Sequence, residues 1–340
     1  MSRTIKNSLN PILSIVIVNY NSKQVLINCL NSLISTNSKE LEIFVIDNAS
    51  SESIKEIEKE FSTVKFIYNE HNIGFAAANN IGINLAKGRY ILLLNPDTIV
   101  NENSFQPMIN YLESHNDVAI VGCKIFNANG EIERSTHSFP SLLKEFMHAN
   151  EFLKNIIGYQ SGFAKFLNKF IKSKSLESYW DHNSVKEVDH VTGACMMVKK
   201  EAIDNVGLID EAFFLYNEEV EWSFRFKKAG YKSVFLPYSS IIHLFGYSTK
   251  QRVQKQTVNN LLVERYRGMF YFFQKHYGFI RILILRIIVQ QGFGLRILLN
   301  FITSFFLSNE LREDNLRERS YLKRILLLGF SNNFDWRHSG

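Results

Sequence analysis

Cysteine is scarce. Cys29, Cys123 and Cys195 are an odd number and widely spaced, which excludes a disulfide framework or a cysteine metal cluster. They suit small buried residues in a reducing compartment. The start, Met1 to Pro11, has no apolar core of the kind a secretory signal needs, so no cleaved leader is expected. A clean spanning run is missing too. Tyr277 to Ser308 is very apolar, but Arg281, Arg286 and Arg296 interrupt it, as do Gln290, Gln291 and Gly292. A spanning helix needs about 20 predominantly apolar residues. What remains is an ordinary globular balance, 46% apolar and 21% charged in 340 residues. That is enough for a large core in one enzyme domain with an appendage, or in two domains.

Charge is unevenly placed. From Lys250 to Gly340 there are fifteen Lys/Arg against six Asp/Glu, a balance of +9 in a chain of +6, which leaves −3 for the first 249 residues. An anionic partner, membrane or nucleic acid, is therefore expected at the C-terminal end.

Aliphatic runs punctuated by polar turns dominate the first half. Leu13–Val18, Leu41–Ile46, Val64–Tyr68 and Ile91–Leu94 read as strands, and helical spacing recurs between them. Val25, Leu26, Cys29, Leu30 and Leu33 form one helical face after Ser22, a fitting cap, and Ser53 to Phe61 reads as a charged helix. The alternation predicts an α/β fold, a parallel sheet with helices on both faces. The central run, Gly88 to Leu94, stops at Asn95-Pro96-Asp97. Proline cannot continue a central ladder, so Asp97 falls just beyond the carboxyl end of the strand, where open α/β sheets bind ligands. A carboxylate there could hold a hard divalent cation against a diphosphate, or merely cap the next helix.

Asn72-Ile73-Gly74-Phe75 opens a helix with small residues, which lets backbone N–H groups approach a phosphate or lets the helix pack tightly. The segment is not a Walker loop and carries no GxGxxG. Further on, Glu218, Glu219 and Glu221 open a helix, as the macrodipole favours, and Glu221 can pair with Arg225. Glu219 falls on the side of Trp222 and Phe226, where desolvation would raise its pKa and suit it to general-base work, although acids in the first turn of a helix are common with no catalysis at all. A strand over Tyr231–Leu236 and then His243, after an apolar pair, follow. Ser141 to Glu187 reads as a lysine-rich helical insert over the sheet: a lid or acceptor-binding element, an amphipathic helix touching a membrane, or a plain surface hairpin.

From Leu13 to about Lys250 the chain resembles a family 2 glycosyltransferase of the GT-A fold, in its bacterial rhamnosyltransferase-like branch. The motifs are Val18-Asn19-Tyr20-Asn21, Asp47-Asn48-Ala49-Ser50, Asn72-Ile73-Gly74-Phe75, Asn79 and Leu94-Asn95-Pro96-Asp97. Gly193-Ala194-Cys195-Met196, Val206 to Glu211, Glu218-Glu219 and His243 complete the set. The resemblance implies a Rossmann-like, mostly parallel sheet at 12–250, after a tail at 1–11 and before an α-helical extension at 251–340. It implies a nucleotide-sugar pocket of Asn19, Asn21, Asp47, Asn72, Gly74, Asn79, Asn95 and Asp97. Mg²⁺ or Mn²⁺ would sit on Asp97 and His243. Glu219 would be the general base, with Glu218 the alternative, because the family's usual Glu-Asp pair is Glu-Glu here.

The resemblance further implies an inverting transfer, rhamnose favoured, from a nucleotide-diphosphate donor to a glycan or polyprenyl-linked saccharide at the cytoplasmic face of the cell membrane. Two rivals fit less well. A sugar-1-phosphate nucleotidyltransferase would need a basic, Gly-rich N-terminal loop where Asn19-Tyr20-Asn21-Ser22 stands. A non-catalytic nucleic-acid or membrane module would leave the ordered polar set unexplained. For Tyr277–Ser308 the expected use is a monotopic membrane anchor that keeps its arginines at the headgroups, rather than a nucleic-acid contact. A homodimer or domain interface is the alternative.

Overall fold

The computed structural model describes residues 11–36, 41–150, 182–244, 255–306 and 309–338. They form two compact units. One comprises the described residues within 1–137, 182–210 and 222–251; the other comprises those within 138–181, 211–221 and 252–340.

The first unit is built on a sheet. All seven residues of β1 (Leu13–Asn19) are buried, as befits an aliphatic strand covered on both faces. β2 (Leu41–Asp47) and β4 (Tyr90–Leu94) flank it in parallel, and β3 (Val64–Tyr68) extends β2 in parallel. Helix α1 (Lys23–Ser35) buries the expected face of Val25, Leu26, Cys29, Leu30 and Leu33. Ser22 does not cap it with its side chain; its hydroxyl donates to Asn19 Oδ1 at 2.8 Å. The helix expected over Ser53–Phe61 is only a 3₁₀ turn, Lys55–Lys59, with Ile57 its single buried residue. Ile54 and Phe61, on either side of the turn, are buried too and tie its ends to the core.

Helix α2 (Phe75–Leu85) follows Gly74, whose φ of 85° suits glycine. Its small residues serve packing: a Cβ on Gly82 would lie 2.4 Å from a Val16 methyl.

The other half of the sheet changes direction. β5 (Thr98–Ile99), α3 (Gln106–Ser114), β6 (Val118–Phe126), β7 (Ile132–Glu133) and β8 (Thr136–His137) follow β4. After the insert come β9 (Lys186–Val188), β10 (His190–Val191), β11 (Cys195–Lys199), helix α5 (Lys200–Val206) and β12 (Lys232–His243). The order is β3-β2-β1-β4-β11-β6-β12-β5. β11 is antiparallel to both neighbours, and β12 runs parallel to β6. Strand β12 is one 12-residue element that continues past the expected end at Leu236. A register shift between Leu236 and Ser240 brackets Pro237, which has no ladder donor. Beyond it Ile242 and His243 pair with Ile99 and Thr98 of β5, so the strand delivers His243 to the end of β4.

The second unit is helical. Helix α4 (Leu142–Ala149) is capped by the Ser141 hydroxyl, which accepts from Lys144 N. Of the expected insert, 151–181 lies outside the described residues. Helix α6 (Glu218–Lys228) begins in this unit and continues into the first, the division falling after Glu221. Helices α7 (Lys255–His276), α8 (Gly278–Thr303) and α9 (Asn309–Leu328) complete it. Gln290-Gln291-Gly292 does not interrupt α8. By length and composition this 26-residue helix could cross a membrane, a correction to the expectation that no stretch here suffices.

Candidate active site

The carboxyl ends of β1 and β2 bring Asn19 and Asp47 together. Asn19 Nδ2 donates to Asp47 Oδ1 at 2.7 Å, and Ser50 Oγ donates to the same oxygen at 2.6 Å. Asn21 has a left-handed backbone (φ 53°), as does Ala49 (φ 62°). Asn21 Oδ1 accepts from Ser51 N and Oγ. Such strain at two adjacent strand ends marks a shaped loop pair.

Asn48, which the sequence shows only as part of the Asp47-Asn48-Ala49-Ser50 motif with no role of its own, organises the next segment. Its Nδ2 donates to Asn72 Oδ1 (2.8 Å) and Gly74 O (3.2 Å), while its Oδ1 accepts from Ile73 N and Asn69 Nδ2. Asn72 and Gly74 are therefore held at the rim of the same strand ends. Asn79 is buried, and its amide donates to Phe75 O within α2.

Asp97 and His243 meet at the end of β4. His243 Nε2 lies 3.2 Å from Asp97 Oδ1 and 3.5 Å from Asn95 Nδ2. Backbone bonds fix both loops: Asn95 N donates to Ala194 O, and Leu244 N donates to Asp97 O at 2.8 Å. On the other side of the ring, Nδ1 lies 3.1 Å from Glu133 Oε2 on β7. Burial alone would lower the His243 pKa, but the carboxylates of Asp97 and Glu133 outweigh it and raise the pKa above its ordinary value.

One carboxylate oxygen and one imidazole nitrogen facing each other fit a shared Mg²⁺ or Mn²⁺. Among the described residues no three His, Cys, Asp or Glu side chains gather to bind a metal alone. The remaining ligands would come from water and a diphosphate, as hard cations at nucleotide sites commonly have them. Nearby Cys29 is no ligand: burial pushes its thiol up to about 12, and it faces Thr98 Oγ1. Glu133 escaped the sequence reading because it is one acid in a polar turn, and only the β6–β7 pairing carries it to His243.

Glu218 and Glu219 lie at the start of α6. Before them Tyr216 and Asn217 are both left-handed (φ 69° and 70°), and Asn217 Nδ2 donates to Arg265 O at 3.0 Å. A glycine at 268 is needed here, since a Cβ would lie 2.9 Å from both Asn217 Nδ2 and Tyr216 O. Glu218 is buried and Glu219 half-buried, and each has a buried Oε2 with no hydrogen-bond partner. Desolvation raises both pKa values. Repulsion from Glu219 pushes Glu218 higher still, whereas backbone N–H groups at the helix start favour the Glu219 carboxylate. The two acids therefore titrate as one coupled pair, with the backbone N–H groups favouring charge on Glu219. Glu221 is buried rather than on the surface and meets Lys275 Nζ (2.7 Å) and His276 Nε2 (3.0 Å). In the first unit Arg225 donates to the carbonyls of Val206 and Leu208, and Trp222 donates to that of Gly207.

The family model for glycosyl transferase family 2 matches residues 14–207, more than half of the chain. A low-salt glycan biosynthesis hexosyltransferase of Haloferax volcanii is 28% identical over 221 residues, which are 64% of this chain and 62% of that protein. An N-acetylglucosaminyl-diphospho-decaprenol L-rhamnosyltransferase of Mycobacterium tuberculosis is 23% identical over 253 residues, 71% of this chain and 78% of its own length. Among solved structures, a mannosyltransferase of Pyrobaculum calidifontis in complex with GDP-Man and Mn²⁺ superposes with a TM-score of 0.54. It is 12% identical, over 97% of this chain and 89% of its own. At that identity the likeness speaks for the GT-A fold alone.

Proposed function

Because the chain belongs to glycosyl transferase family 2, we propose that it is an inverting, metal-dependent transferase. It moves a sugar, rhamnose first among them, from a nucleotide-diphosphate donor to a hydroxyl of a glycan or polyprenyl-linked saccharide. The reaction takes place at the cytoplasmic face of the cell membrane. The observation that carries the reading is the Asp97–His243 pair, 3.2 Å apart beyond the carboxyl end of β4. The rhamnose preference rests on the mycobacterial relative's name.

Asp47, held by Asn19 and Ser50, presents its carboxylate to the base or ribose of the donor, and Asn21, Asn72 and Gly74 shape the rim around it. Asn79 and Asn95 complete the donor pocket. Glu219 takes the proton of the acceptor hydroxyl onto its carboxylate, aided by the raised proton affinity that burial gives it. The acceptor oxygen forms its bond to the anomeric carbon as the bond from that carbon to the diphosphate breaks, so the configuration inverts and no enzyme–sugar bond forms. Glu218 stays neutral beside it and so spares Glu219 a second buried charge. A divalent cation on Asp97 and His243 would supply charge neutralisation for the leaving diphosphate.

A panel of nucleotide sugars assayed with a polyprenyl-linked acceptor, with and without Mn²⁺, tests the reading. Metal-dependent transfer of one sugar supports it. Full transfer in the presence of a chelator contradicts it.

A further inference from the structure

Helix α8 has two faces that differ in kind. Ile282, Leu285, Val289, Gly292 and Phe293 are buried, where the helix packs on α4, α7 and α9 of its own unit. At about 100° per residue, Ile280, Leu283, Ile287, Leu298 and Ile302 all fall within about 60° of a single line on the opposite side. All five are exposed, Ile280 to 72% and Ile287 to 61%. From Ile280 to Ile302 this stripe is about 33 Å long at 1.5 Å per residue. Phe330, 72% exposed, borders the same groove as Leu283 and Ile287 and widens the patch.

The three arginines that break the apolar run in sequence lie off the stripe. Arg286 donates to Ser331 O at 2.6 Å and stacks on Phe334. Arg296 pairs with Glu318. Arg281 sits on the flank over the Tyr277 ring.

We propose that this stripe, with Phe330, inserts into one leaflet of an anionic bilayer while α8 lies parallel to the surface. Two observations favour lipid over other occupants. The C-terminal region carries fifteen Lys/Arg against six Asp/Glu, which complements anionic headgroups, and Arg281 on the flank of the stripe is exposed to meet them. A spanning arrangement would strip the buried face of α8 from α4, α7 and α9. An interfacial helix needs only its outer face in the acyl region. The proposal builds on the reading of a lipid-linked acceptor, but its test involves no sugar donor and so can fail independently of that reading.

The full chain is floated with vesicles of phosphatidylglycerol and phosphatidylethanolamine, and with phosphatidylcholine alone. The double variant Ile280→Glu, Ile287→Glu and the single variant Phe330→Glu are compared, with circular dichroism to verify the fold. These side chains are exposed, so the variants should fold. The expected result is binding to the anionic vesicles, weaker on phosphatidylcholine, and lower by about tenfold or more in the double variant. Three results would overturn the proposal. One is wild-type protein that stays unbound, including a concentration-dependent dimer that the same variants dissolve, which would give the face to a second copy. The others are unchanged binding by the folded variants, and membrane-extracted protein that resists a carbonate wash, which would mean a spanning helix.

Discussion

Glu145 offers the prediction with the best-defined magnitude. It lies on α4, almost fully buried, with one carboxylate oxygen lacking a hydrogen-bond partner. Burial raises its pKa from the ordinary 4.5 to about 7, against the opposing pull of Arg265 and Lys144. The folded state therefore holds a proton that the unfolded chain releases near pH 4.5. Its contribution to stability is complete below about pH 4.5, declines as pH rises, and is gone above about pH 7. At 1.36 kcal/mol per pKa unit the swing is about 3 kcal/mol. Glu145→Gln keeps the neutral form at every pH. It carries a constant offset for its amide, but not the slope. Guanidinium unfolding of both proteins across this range should show the variant gaining about 3 kcal/mol on the wild type between the acid and alkaline ends. A wild-type-minus-variant difference that is flat in pH would refute the reasoning.

The active-site predictions follow the same logic. Glu219→Gln keeps donor binding and loses transfer by about 10²–10⁴-fold, since an amide cannot take the acceptor proton; Glu218→Gln costs less, and single-turnover transfer ranks the two. The reverse ranking would move the base to Glu218. Glu133→Ala weakens Mn²⁺ binding by about 10–100-fold through loss of the Nδ1 partner of His243, whereas Glu133→Gln, which still accepts from Nδ1–H, stays near wild type in calorimetric titration.

Much of the fold was legible because its strands are buried on both faces. Aliphatic runs such as Leu13–Val18 and Ile91–Leu94 have few alternatives, and Pro96 ends the central one without ambiguity. The glycosyltransferase motifs added the fold family and pointed to Asp97 and His243, which the structure brings to 3.2 Å. What escaped depends on distant pairing. Strand β12 looked finished at Leu236 because Pro237 breaks ladders, yet β6 and β5 carry the strand on to His243 through a bulge. Asn48 and Glu133 are ordinary polar residues until β2 and β7 place them among Asn72, Gly74 and His243. The arginines of α8 read as interruptions in one dimension and prove to lie off the apolar stripe in three.

The most direct test of the account is Mn²⁺-dependent transfer by Asp97→Ala. The Asp97 side chain is 13% exposed and contacts His243 rather than the apolar core, so the purified variant should fold as the wild type does. The expected Asp97→Ala protein binds no Mn²⁺ at this site and transfers no sugar, even with donor in excess. A folded Asp97→Ala protein that turns over at near wild-type rate in limiting Mn²⁺ would contradict it.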